Sequence, residues 1–416
     1  MSDQGSKSTV HAADATVVGG GMAGLTLTLA LASAGLSVAL VERDDPQAWS
    51  DAAFDGRVSA IAAGSRRVFE TLGVWEAMAG NAAPILDIRI TDGDRPAVLH
   101  FAHQEMSEGP LGHIVENRVI RSALVGAVEA AGSITLLAPC AVAAIERGPV
   151  AAVVRLADGA QVTAPLVVGA DGRGSPVREG AGINQTHWRY DQGAIVTTVV
   201  HERPHEGTAE ERFLAPGPFA ILPMCDDDAG RHRSSIVWTE RADLVAAYLD
   251  LGTADFDAEL GRRFGDHLGA VAATGPRWSY PLGLSLAESY IADRLALIGD
   301  AAHGIHPIAG QGLNLGIRDA AALAEVVVDG RRLGLDFGMR TVLEDYQRWR
   351  RFDNVALAAA TDLLNRLFSN DAGPLALLRG AGLAAVNRIG PARRWFMGEA
   401  MGLAGELPRL VRGEAL

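Results

Sequence analysis

The stretch ATVVGGGMAGLTLTLALASAGLSVALVE, residues 15–42, decides the fold. Residues 15–18 are a short apolar run of strand character. Gly19, Gly21 and Gly24 follow in a G-x-G-x-x-G turn, and residues 22–34 predict a helix closed by Gly35. Residues 37–42 make a second strand that ends on an acid, Glu42. Strand, glycine turn, helix and strand in this order predict a right-handed βαβ unit of a parallel sheet. The glycines allow the tight turn and bring backbone amides up to a pyrophosphate at the helix N-terminus, where about half a positive charge resides. Glu42 is placed to accept hydrogen bonds from adenosine ribose hydroxyls. The unit predicts a bound dinucleotide without choosing which, and its glycines exclude a membrane span.

Two further glycine-bearing segments follow strands. In GADGRGSPVR, residues 169–178, Asp171 is placed to anchor a second loop near the cofactor, Ser175 to cap a helix and Arg178 to face phosphates. An ordinary capped turn is the competing reading. In GDAAHGIHPIAGQGLNLGIRD, residues 299–319, Asp300 is positioned for a ribityl chain. The segment from Pro307 to Asn314 brings backbone amides and a helix N-terminus to one edge of a flavin, where the helix dipole stabilises the negative charge of the reduced ring. Gly310 and Gly312 allow the close approach. His303 and His306 read as scaffold, because function in this run attaches to loop geometry.

The remainder of the chain fixes its class. A net charge of -13 repels phosphate backbones, so no nucleic-acid partner is expected. Cys140 and Cys225 stand far apart, giving neither a disulfide framework nor a zinc spacing, and no metal site is expected. A polar lead-in and this cysteine usage fit the cytoplasm. Residues 59–80 and 118–131 read as helix, and residues 85–101 as a hairpin about the turn at 91–94. From 185 to 285 alternating strands, such as 194–200 and 234–239, are joined by charged loops and predict an antiparallel sheet.

Taken together, these motifs closely resemble the flavoprotein aromatic hydroxylases of the para-hydroxybenzoate hydroxylase fold, which share G-D-A-A-H-x-x-x-P-x-x-G-Q-G-x-N and the Asp171-Gly172 pair. More narrowly, HPIAGQGLNLGIRD (306–319), DGRVSAI (55–61), LGVW (72–75), ENRVIR (116–121) and the tail from Arg379 to Leu410 are similar to the ubiquinone-biosynthesis hydroxylases. The resemblance implies FAD, O2 and a flavin hydroperoxide whose distal oxygen attacks a polyprenylated phenol. It implies that Arg57 and Arg118 contact FAD, Asp300 its ribityl chain, and Leu313 and Asn314 its pyrimidine edge through backbone amides. It names no catalytic side chain. Electrons come from NAD(P)H or a separate reductase, since no second G-x-G-x-x-G decides between them, and other ubiquinone-biosynthesis enzymes are expected partners.

The expected fold class is α/β: a Rossmann-like FAD-binding domain (15–84, 111–184 and 286–340), an inserted, mostly antiparallel β-sheet substrate domain (85–110 and 185–285) and a helical C-terminal region (341–416). Residues 1–14 read as a flexible lead-in. Between Asp371 and Leu416 six arginines face four acids among Leu377, Leu378, Leu383, Ile389, Trp395, Phe396 and Met397. That composition suits either a peripheral face on the inner side of the cytoplasmic membrane or helices covering the core. Competing functions are a hydroxylase of a small soluble phenol, an FAD reductase of isoprenoid chains, a non-catalytic FAD-binding subunit of a quinone-synthesis complex, and a plain NAD dehydrogenase.

Overall fold

The apolar runs Ala15–Val18, Val38–Val41 and Leu166–Gly169 are buried at every position, as central parallel strands covered on both faces must be. In the computed structural model, which describes residues 9–46, 55–93, 99–106, 109–306, 308–369 and 386–416, they belong to a six-stranded sheet. Its order is Ile291–Ala292, Leu295–Leu297, Leu166–Gly169, Ala15–Val18, Val38–Val41, Ile134–Leu137, and only the first pair is antiparallel. The helix Met22–Ser33 is buried at every residue from Gly24 to Leu31. A helix apolar all round needs cover on all sides, and here the sheet and the helices Gln311–Arg332 and Asn117–Ala130 supply it.

The lead-in is shorter than its 14 residues suggest. Val10–Ala12 is a strand, paired parallel with Gln161–Ala164 in a four-stranded sheet completed by Ala152–Leu156 and Val142–Arg147. The expected helix over 59–80 also needs correction. Val58–Ala62 is a strand that pairs antiparallel with Gly112–Glu116, and helix occupies only Ala63–Thr71 and Glu76–Ala79.

An eight-stranded sheet gathers His303–Gly304, Val271–Ala287, Gln185–His201, His232–Arg241, Gly217–Met224, Thr208–Leu214, Asp87–Asp92 and Leu99–Ala102, in that order. The hairpin Asp87–Ala102 joins it by pairing parallel with Thr208–Leu214. Not every link between 185 and 285 is a loop: Ala242–Leu249 and Thr253–Phe264 are helices, and the second buries Phe256, Leu260 and Phe264 at every fourth residue against one face of the sheet.

The 29-residue helix Arg340–Phe368 joins the two large sheets. Tyr346 donates to Leu297 O at 2.8 Å on the parallel sheet, and Asn365 donates to Gln192 Oε1 at 2.9 Å on the antiparallel one. Of the tail residues, Leu377, Leu378, Arg379 and Leu383 lie outside the described residues, and Met397 is no surface residue but is buried in the cluster of Ala63, Ile85 and Phe101.

Candidate flavin site

Three loops leave the carboxyl ends of the neighbouring strands Ala15–Val18, Leu166–Gly169 and Leu295–Leu297, the edge at which open parallel sheets bind ligands. At the first, Gly19 adopts φ 108°, and a Cβ there would sit 2.4 Å from Ala170 O. A Cβ on Gly24 would sit 2.0 Å from Gly19 O. Gly21 differs, because a Cβ there meets nothing within 4 Å. Gly19 and Gly24 are small for the protein's own packing, whereas Gly21 borders open space at a helix N-terminus that has no side-chain cap and no acid in its first turn. An anion fits that space and those amides. Glu42 accepts from Gly20 N at 2.5 Å and Asp44 N at 2.7 Å, which leaves each carboxylate oxygen a lone pair for a hydroxyl donor.

The second and third loops are tied together. Asp171 accepts from Ser175 Oγ at 2.5 Å and Val177 N at 3.0 Å, while Ser175 caps the helix Pro176–Gly180 through Arg178 N at 2.9 Å. Burial raises the Asp171 carboxyl above its usual range, against these donors. Asp171 therefore holds its own loop in shape. Arg178 does not face a phosphate site: it is buried and donates to the carbonyls of Arg173 and Ala301 at 3.0 and 3.2 Å. Arg173 reaches Asp300 Oδ2 at 3.1 Å, and Asp300 stays exposed at the mouth of the loops.

In the third loop Gly310 takes φ 61° and starts the helix Gln311–Arg332 with its Cβ position 3.0 Å from Ala60 Cβ, and a Cβ on Gly312 would meet nothing. Leu313 lies in the first turn, where amides lack helical acceptors. The Asn314 side chain is occupied otherwise. It accepts from Ala62 N at 2.9 Å and donates to Ala60 O at 2.9 Å and Gly310 O at 3.1 Å, serving the open edge of Val58–Ala62 as a strand neighbour would. Arg57 and Arg118 come close in the fold, since Asn117 N donates to Arg57 O at 3.0 Å. Arg57 is held by Asp55 and Arg118 by Glu116, each with nearly half its side chain exposed. Pro307 lies outside the described residues.

Sequence reasoning missed what braces this loop. Asp319, fully buried, accepts from His303 Nε2 at 2.5 Å, Gly299 N at 3.2 Å, Arg350 Nε at 3.0 Å and Asn354 Nδ2 at 3.0 Å. Burial raises its carboxyl, but His303, Arg350 and Asn354 outweigh burial and hold it at about 2. His306 is also buried, with Nδ1 accepting from Ile308 N at 3.3 Å, and burial lowers it to about 4. Both histidines are held by the scaffold. Tyr190 meets the His306 ring edge to face at 5.4 Å and donates to Asp362 at 2.7 Å, as Trp188 does at 3.3 Å.

The FAD binding domain family matches residues 12–330. The chain is 52% identical to ubiquinone hydroxylase UbiL of Rhodospirillum rubrum over 97% of this chain and 94% of that protein. It is 36% identical to 3-demethoxyubiquinol 3-hydroxylase of Escherichia coli, over 93% and 98%. Among solved structures, p-nitrophenol 4-monooxygenase PnpA of Pseudomonas putida superposes with a TM-score of 0.78 over 96% of this chain and 99% of that one, at 18% identity, a likeness of fold alone. The open space at Gly21, the uncapped helix and the glycine-lined third loop suit the cofactor of that family. With 52% identity along nearly its whole length and three loops meeting at one sheet edge, the chain belongs to the FAD-dependent hydroxylases of the para-hydroxybenzoate hydroxylase fold, in the family of the ubiquinone hydroxylases.

Proposed function

We propose that the protein hydroxylates the aromatic ring of a polyprenylated phenol in ubiquinone biosynthesis. The observation that carries this reading is the meeting of the Gly19–Gly24, Asp171–Arg178 and Gly299–Asn314 segments at one sheet edge, in a chain that resembles ubiquinone hydroxylases end to end. FAD, bound and reduced, supplies activated oxygen. The amides after Gly21 hold its pyrophosphate, and Glu42 the ribose. Arg57 and Arg118 contact the cofactor, and Asp300 takes the ribityl hydroxyls. The first-turn amides at Gly312, Leu313 and Asn314 lie along the pyrimidine edge. Asp171 and Gly310 position these loops, and the eight-stranded sheet forms the substrate side.

A prenyl tail calls for an apolar approach. Phe352 and Leu363 on the helix Arg340–Phe368, and Ile389, Trp395 and Phe396 beside or on the helix Gly390–Ala400, are exposed, and Trp395 and Phe396 meet edge to face at 4.8 Å. These exposed apolar side chains support peripheral contact with a membrane. Among the described residues no helix is long and apolar enough to cross one. The test is to delete the gene from its host and identify the prenylated phenol that accumulates, then supply it to the purified yellow protein with reductant and O2. One added ring hydroxyl per turnover is expected. Turnover of small phenols with prenylated ones untouched would overturn the reading.

A further inference from the structure

The eight-stranded sheet has two unlike faces. One packs on the helices Ala242–Leu249 and Thr253–Phe264 through Ile195, Phe219, Ile236 and Trp238. On the strand Thr208–Leu214, Glu210 and Arg212 turn to that side. Glu210 pairs with His267 at 3.1 Å, and Arg212 donates to the carbonyls of Arg263 and Phe264 at 2.7 and 3.1 Å. Side chains alternate along a strand, so Ala209, Glu211 and Phe213 stand on the opposite face. There Ala209 shares an apolar cluster with Val58, Ala60, Ile90 and Leu222, and Ala60 is the residue that Gly310 and Asn314 of the third loop touch. Glu211 rises from the sheet on the side of the flavin loop.

Its neighbours in register are Ile90 and Ala220, followed across the sheet by Val237 and Val196. None offers a charge or a donor side chain, and burial without an opposing partner among the described residues pushes the Glu211 carboxyl up to about 7. Glu211 nevertheless keeps accessible surface, so its carboxyl is not sealed into packed core. On the same face Thr198 and Ser235 are cross-strand neighbours, 1% and 0% exposed, whose hydroxyls have no partner among the described residues. A carboxyl without a partner among the described residues, on a sheet face that carries two such hydroxyls two and three strands away, destabilises the fold and suits a ligand that brings a donor to Glu211. Among the described residues, the other charged groups named on the elements around this face are engaged elsewhere. Arg233 pairs with Glu116, Arg57 with Asp55 and Arg393 with Glu105, and Asp92 has a partner of its own.

We propose that Glu211 holds the ring hydroxyl of the phenolic substrate and accepts its proton, a reading that rests on the ring hydroxylation proposed above. The phenol O–H bond breaks, the proton passes to a carboxylate oxygen of Glu211, and the electron pair stays on the phenolate oxygen, where it enriches the ring carbons toward oxygen transfer. A phenol ionises at about 10, so an acceptor raised to about 7 lies within about 3 units of it and shares the proton in a hydrogen-bonded pair far more readily than an ordinary glutamate.

The test uses the flavin-bound protein, reduced with dithionite and mixed with oxygenated ortho-farnesylphenol, with hydroxylated product counted per flavin from mildly acid to alkaline pH. Wild-type product formation is expected to rise with pH through about 7 as Glu211 ionises. Glu211→Gln is expected to lower the rate about 100-fold and abolish that inflection while keeping its flavin. Glu211→Asp keeps an acceptor one methylene further back, and is expected to be slower with an inflection retained. With oxidised flavin, the absorbance of bound phenol should be shifted to longer wavelength by its hydrogen bond to the carboxylate in the wild type and lose that shift in Glu211→Gln. The same variant should melt above the wild type at alkaline pH, where an unpaired charge has been removed, and level with it below the ordinary glutamate range. Glu211→Gln with unchanged turnover, pH profile and phenol absorbance would overturn the proposal. A wild type that leaves the prenylated phenol untouched would overturn the substrate reading, and this proposal with it.

Discussion

At the first turn one residue type answers two different demands. Gly24 is small because the carbonyl of Gly19 lies where its Cβ would be, whereas Gly21 is small although the protein leaves its Cβ position empty. The two substitutions should therefore part company. Gly21→Val is expected to fold and melt near the wild type without ligand, yet to purify with less than roughly a tenth of the wild-type flavin, because the branched side chain takes the space and shields the amides of the helix N-terminus. Gly24→Ala is expected to lose about 1–3 kcal/mol of stability through overpacking, whether or not flavin is present. Flavin absorbance per protein and melting temperature, measured on both variants, check the pair. Retention of full flavin by Gly21→Val would remove the pyrophosphate from this turn.

Whether an element could be read from sequence depended on where its partners lie. Ala15–Val18, the glycine turn and Met22–Ser33 carry their own signals: an apolar run, a turn chemistry and a helix of fitting length, all within 28 residues. Val58–Ala62 does not, because one of its edges is completed by the side chain of Asn314. The Thr253–Phe264 helix did announce itself through Phe256, Leu260 and Phe264, but short charged links on either side made it read as part of a strand-rich region. Glu211 could not be singled out at all: an acid in an alternating strand is ordinarily a solvent-facing one, and only the packed sheet reveals that this one faces inward. The Asn314 bridge yields a prediction at this scale. Asn314→Ala removes two hydrogen bonds between the helix and the strand and a third to Gly310 O, and leaves the buried Ala62 amide unpaired. A loss of about 1–3 kcal/mol is expected, read as a lower urea midpoint, together with faster flavin release as Gly310 loses its anchor.

Across the whole molecule, the long helix Arg340–Phe368 and the flavin loop are joined through one buried carboxylate. Asp319 is bonded at once to Gly299 and His303 on the loop side and to Arg350 and Asn354 on the helix side. Replacing Arg350 with Met leaves that charge buried with fewer partners, and a destabilisation of about 3–5 kcal/mol is expected, with flavin lost on heating before the protein unfolds. Flavin fluorescence followed alongside circular dichroism in a thermal melt separates the two events. If both transitions stay at their wild-type temperatures, the network does not couple helix to loop. The parallel pairing of Asp87–Asp92 with Thr208–Leu214 has another kind of consequence. The hairpin leaves the ribosome over a hundred residues before the strand that seals its edge, a wait of several seconds at about 5–20 residues per second. During that interval its backbone donors and acceptors are open to any neighbouring chain. Expression at high translation density, or a pause placed before residue 208, should divert more of the nascent protein into aggregates than a pause placed after residue 224.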